Sequence, residues 1–126
     1  MKATELMIGD WVFCEGQPIP SNATIEEIFD DGVIFNGIHY EGDAFLDRIF
    51  PIPLTDEILR KNGFEYYHKN FASTDYDSPF KLEMVEWPDE NGNGGLWLIN
   101  GLFKIRFVHE LQHALRLCEI EKEIVL

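Results

Sequence analysis

Of the Asn-Gly dipeptides in this chain, the two that stand between short apolar runs, Asn36-Gly37 and Asn100-Gly101, constrain it more than any other feature. Both central residues of a type I′ turn need positive φ, which Asn tolerates and Gly adopts freely, and the twist of that turn matches an antiparallel strand pair. Each dipeptide is flanked by short apolar runs: Val33-Ile34-Phe35 and Ile38-His39-Tyr40 around the first, residues 96–99 and 102–105 around the second. Antiparallel hairpins are therefore expected in both halves of the chain.

The first half reads as short strands between tight turns. Leu6-x-x-Gly9-Asp10 predicts a turn leading into Trp11-Val12-Phe13-Cys14, a short apolar strand. After the loop holding Pro18 and Pro20, residues 23–29 alternate with Ile25 and Ile28 partly out of phase, which predicts a bulge or twist. Asp30-Asp31-Gly32 breaks the chain before the first Asn-Gly hairpin, and residues 46–52 add one more apolar segment. So many strands in about fifty residues predict a small, strongly bent antiparallel sheet or barrel over residues 1–52. The Leu-x-x-Gly-Asp-x-Val opening resembles the first strand of SH3-like barrels.

Pro51-Ile52-Pro53-Leu54 stiffens the junction to an α+β module over 53–126, which is either separate from the first or one compact unit with it. Thr55 predicts an N-cap with Asp56 and Glu57 in the first turn of a short helix ending at Asn62, and Gly63 is placed as its C′ glycine. An aromatic strand is expected over 64–71 and a polar loop over 73–79. Residues 80–87 alternate so that Phe80, Leu82 and Met84 share one side, a half-exposed strand. A loop over 88–95, the second Asn-Gly hairpin and an amphipathic helix over 107–118 complete the pattern. The expected fold class is α+β: an SH3-like or bent antiparallel β-barrel, then β-hairpins with a short helix and a C-terminal amphipathic helix.

The chain has 126 residues, 45% of them hydrophobic, enough for a packed core, and its formal charge is −13. That charge argues against nucleic acid and anionic membranes as partners, because phosphate contacts need a basic footprint. Its bland meaning is solubility; its sharper meanings are a basic protein partner or mimicry of nucleic acid. No leader-like or membrane-length apolar run is present, so a soluble cytoplasmic protein is expected. Cys14 and Cys118 lie far apart and are expected to be reduced and at least partly buried.

Arg106 to Cys118 contains a literal His109-Glu110-x-x-His113. On a helix, two His four residues apart can bind zinc from one face, and the Glu between them can act as general base on the metal-bound water. Steps of 100° put Phe107, Leu111, Ala114, Leu115 and Cys118 on the apolar stripe with Val108 at its edge. His109 and His113 then fall nearly opposite, toward solvent. A third ligand could come only from Glu119, Glu121 or Glu123, and extended metzincin spacing selects Glu119 while placing Arg116 where a glycine turn is needed. An exposed helix face explains the pattern better than a catalytic zinc centre, so no cofactor is expected.

Asp89-Glu90-Asn91-Gly92-Asn93-Gly94 matches the opening of a calcium loop, but its twelfth position is Asn100 and Pro88 precedes it, so a flexible hairpin loop is expected. There is no G-x-S-x-G elbow, and Gly92-Asn93-Gly94-Gly95 lacks the Lys and helix start of a phosphate loop. Trp11, Tyr40, Tyr66, Tyr67, Phe71, Trp87 and Trp97 are expected in core or hairpin pairs; any exposed together would form the partner-binding patch.

Pro51-Ile52-Pro53-Leu54-Thr55, Gly63-Phe64, and Val108-His109 with Leu111-Gln112 give the chain a further likeness. It resembles a group of small uncharacterised proteins of Bacteroides-type genomes and their phages. The resemblance implies the fold and carries no activity. It also implies that Glu110 and His113 stand where relatives often have Gln and Asn, making the complete metal motif a local variant of a helix start. The function expected is interaction or accessory, non-enzymatic, with an unknown protein partner; zinc-dependent hydrolysis and acidic nucleic-acid mimicry are the alternatives.

Overall fold

The computed structural model describes residues 6–15, 21–29, 32–35, 38–41, 48–67, 70–74, 78–87, 89–91 and 94–126. The chain divides into two compact units, Met1–Ile52 and Pro53–Leu126. The architecture is mixed α+β, mostly strands, with two helices among the described residues. None of these helices is long and apolar enough to cross a membrane.

The first unit contains two three-stranded antiparallel sheets. One is ordered β2 (Ser21–Thr24), β1 (Trp11–Cys14), β6 (Ile49–Pro51); the other is β3 (Glu27–Phe29), β4 (Gly32–Phe35), β5 (Ile38–Glu41). The turn into β1 forms as its sequence suggests. Gly9 has φ +89°, and the buried Asp10 carboxylate accepts the Met7 N–H at 2.8 Å. Between β2 and β3 the chain changes sheets: Ile25 N–H donates to Asp10 O and Glu26 N–H to Ile34 O. Ile25 is out of phase because it turns into the core there, with Val12, Cys14, Ala23, Val33 and Ile49. The barrel expected from the strand count is corrected, because no ladder joins the outer strands of one sheet to those of the other among the described residues. The two sheets are open, and no closed barrel forms among the described residues. Phe35 pairs with Ile38 across the first Asn-Gly dipeptide, which itself lies outside the described residues, as do 46 and 47.

The second unit is an antiparallel meander of β7 (Glu65–Tyr66), β8 (Phe71–Ser73), β9 (Leu82–Glu86), β10 (Leu96–Ile99) and β11 (Phe103–Ile105), each strand beside the next in sequence. Its buried apolar side chains are Ala72, Leu82, Met84, Leu96, Trp97, Ile99 and Ile105, with Phe80 meeting Phe64 edge to face at 6.4 Å. The aromatic stretch over 64–71 is not one strand. It folds back on itself, Tyr67 N–H donating to Phe71 O, because Tyr66 and Ala72 can then face each other across a hairpin. At Asn100-Gly101 both φ values are positive, +51° and +75°, and Leu102 N–H closes the turn onto Ile99 O. The strand after it starts at Phe103 rather than Leu102.

Helix α1 (Asp56–Lys61) begins where the Thr55 hydroxyl accepts the Ile58 N–H at 3.2 Å and ends with Gly63 at φ +86°. Phe64 N–H reaches back to Leu59 O and Gly63 N–H to Arg60 O, the two bonds of a Schellman end. Helix α2 (Val108–Leu117) ends the same way, through Ile120 to Leu115 and Glu119 to Arg116, but with Glu119 in the left-handed position at φ +58°. The two helix starts are joined: Pro53 bridges Phe107, and Leu54 N–H donates to Arg106 O at 2.9 Å. The C-terminal segment is held by the buried Asn62 side chain, which accepts the Val125 N–H at 2.8 Å and donates to Val125 O at 2.7 Å.

Candidate functional site

The His-Glu-x-x-His segment occupies α2, but its side chains serve the helix. Glu110 is the third helical residue, and its Oε1 accepts the Arg106 N–H at 2.9 Å and the Phe107 N–H at 3.1 Å. This is the carboxylate half of a capping box, satisfying donors that the helix start leaves open. His109 is 7% exposed, which corrects the solvent-facing placement. Its ring stacks on Phe107 at 6.0 Å and takes the edge of His113 at 5.5 Å. The pairing of Pro53 with Phe107 sets the rotation of α2 so that Val108, Leu111, Gln112 and Leu115 point inward. Ala114 is consequently only half-buried, and Cys118 is exposed instead of lying on the inner stripe. Glu119 sits beyond the helix end, exposed. Among the described residues, no group of three or more His, Cys, Asp or Glu side chains could hold a metal ion.

The start of the calcium-like loop is likewise occupied locally, Asp89 Oδ1 accepting the Asn91 N–H at 2.9 Å; Pro88, Gly92 and Asn93 lie outside the described residues. The loop nevertheless forms part of a cleft. Thr55, Asp56 and Glu57 at the start of α1 face Trp87, Asp89, Glu90 and Asn91 across a cleft of about 400 Å³. That volume falls within the range of small-ligand sites and accommodates a long side chain. Four of its seven lining residues are carboxylates, and its aromatic wall, Trp87, is 66% exposed.

Each part of the cleft has a structural cause. The strand register slips by one residue at Val85, between the Leu96–Glu86 and Trp97–Met84 pairs, and such a bulge bends a strand and re-aims the residues that follow it. Trp87 leaves the sheet directly after this bulge. Asp56 is held from the core: Tyr66 Oη donates to Asp56 Oδ1 at 2.7 Å and accepts from Trp97 Nε1 at 3.3 Å. Burial pushes the Tyr66 phenol well above its ordinary range, Asp56 adding to the shift and the Trp97 N–H opposing it. The phenol therefore remains a donor at neutral pH, and the carboxylate it holds remains fixed at the cleft.

The sequence presents Asp56 and Glu57 as helix-start residues and Trp87 as a core or hairpin aromatic. Neither reading brings them together, because thirty residues of meander separate them. The alternation over 80–86 was the one available signal: with Phe80, Leu82 and Met84 on the buried side, it puts Trp87 on the exposed phase. Comparison with protein-family models finds none that matches, and comparisons with curated proteins and with solved structures likewise find no match.

Proposed function

We propose that the protein is a non-enzymatic interaction module that receives a basic segment of a protein partner. A Lys or Arg side chain would lie against Trp87, between the carboxylates of Asp56, Glu57, Asp89 and Glu90. The single observation that carries this reading is Trp87, an indole left two-thirds exposed at the wall of an acidic cleft, in a unit that buries Trp97 completely. A cation over an indole face gains about 0.5–2 kcal/mol depending on its desolvation. The surrounding carboxylates add attraction, and the net charge of −13 steers cations inward and anions away. The chemistry needed is recognition alone, which agrees with Glu110 being engaged with backbone N–H groups.

Titration with a hexa-arginine peptide tests the proposal. Saturable binding that weakens as salt rises, and that falls roughly 2- to 30-fold in Trp87→Ala, is expected. Undiminished binding in that variant would refute it. The same variant separates this reading from mimicry of nucleic acid, in which carboxylates suffice and the indole contributes nothing.

A further inference from the structure

Helix α2 carries more apolar surface than its own chain covers. Val108 and Leu111 are fully enclosed, yet Leu117 is 85% exposed and Ala114 and Cys118 are only partly covered or open. These last three form one wall of a groove of about 540 Å³ whose other wall includes Phe103 and Ile105 of β11. Phe103 is 66% exposed, and Leu102 at the adjoining hairpin tip is 76% exposed. Contiguous apolar surface of this kind is uncommon on a monomer and marks a contact.

The charge distribution indicates what can cover it. Residues 94–109 contain no Asp or Glu, in a chain that has 23. The carboxylate in the groove wall, Glu110, is engaged by two backbone N–H groups of the helix start. Two copies of so acidic a chain repel across most orientations, and this face, whose one lining carboxylate is Glu110, is where few carboxylates oppose each other. Strand β11 is also the open edge of its sheet. Direct antiparallel pairing of β11 with its copy, centred on Lys104, would set Lys104 opposite Lys104, an arrangement that disfavours sheet continuation. Side-chain packing remains.

We propose that a second copy of the chain covers this groove, in a two-fold contact where Leu117 of each copy enters the groove of the other between α2 and β11. Such a contact is isologous and closed. With Leu102, Phe103, Leu117 and Cys118 contributed twice, it buries on the order of 1,000 Å², the lower end for a specific interface. Reversible association at micromolar concentrations follows.

Sedimentation equilibrium on the full chain from about 1 to 300 μM tests this, with reductant present so that Cys118 cannot cross-link. The expected result is a monomer–dimer equilibrium with a dissociation constant of roughly 1–100 μM. Leu117→Asp and Phe103→Asp should each weaken it at least 30-fold, as hot-spot loss does. Val85→Asp, at an exposed position of β9 outside the groove lining, should leave it unchanged. Both groove side chains are exposed in the single chain, so circular dichroism and melting temperature, measured below the dissociation constant where the parent is also monomeric, should match the parent and show that folding is not the cause. A single monomeric species throughout the range, or a dimer that survives either groove substitution, would overturn the proposal. The cleft at Trp87 is a separate surface, and its titration does not bear on this result.

Discussion

Single residues account for the ends of helices and for the reactivity of the two thiols. Glu119 occupies a left-handed backbone position, φ +58°, where a Cβ is disfavoured and glycine is at ease. Glu119→Gly should therefore stabilise the chain by about 0.5–1 kcal/mol after glycine's larger unfolded-state entropy is deducted, measured as a raised urea midpoint. Cys14 and Cys118 differ as sharply as two cysteines can. Burial pushes the Cys14 thiol up, with the Arg48 guanidinium pulling partly back, whereas Cys118 is exposed at a helix end. A thiol reagent at pH 8, on protein dilute enough to be monomeric, should modify Cys118 rapidly and Cys14 only on unfolding; equal rates would contradict this burial pattern. The same shifts set an alkaline limit. Cys14 and Tyr66 both keep their protons to higher pH when folded than when unfolded. Above about pH 9 for the thiol and pH 10 for the phenol the unfolded chain binds fewer protons, so stability present below those values is lost as pH rises through them. Urea midpoints should fall steadily between pH 8.5 and about 10.5.

Elements with local causes were the legible ones. Thr55 and Gly63 delimit α1, the alternation of Phe80, Leu82 and Met84 orients β9, and Asn100-Gly101 makes its turn, because each depends on neighbours in sequence. The rotation of α2 was not legible. It depends on the long-range pairing of Pro53 with Phe107, which buries His109 and turns Ala114 and Cys118 outward. The pairing of Glu65 and Tyr66 with Ser73 and Ala72 was hidden for a related reason: the sequence between the two strands has no Gly or Pro to announce it. Glu110 shows how one letter can carry two meanings. In a metal motif it is a base; in this helix it is a cap. Glu110→Ala should cost about 1 kcal/mol in unfolding free energy through the lost cap. An unchanged stability would leave the capping role without support.

At the scale of the whole molecule, the excess of carboxylates was evident from composition, but its placement was not. Composition cannot say that Asp56 and Glu57 meet Trp87, Asp89 and Glu90 across a cleft, since a meander and a bulge bring them there. The barrel expected for the first unit fails on a comparable point of topology: among the described residues no strand of one three-stranded sheet is paired in a ladder with a strand of the other. In the second unit the acidic surface is uneven, with carboxylates around Trp87 and none between residues 94 and 109, so the two exposed apolar features suit partners of different charge. The most direct measurement is a ¹H–¹⁵N spectrum of the full chain titrated with hexa-arginine. The account predicts a saturable shift of the Trp87 indole N–H, accompanied by the amides of residues 55–57 and 89–91, with the buried Trp97 indole unmoved. Small shifts spread evenly over carboxylate-bearing residues, with the Trp87 indole stationary, would contradict it.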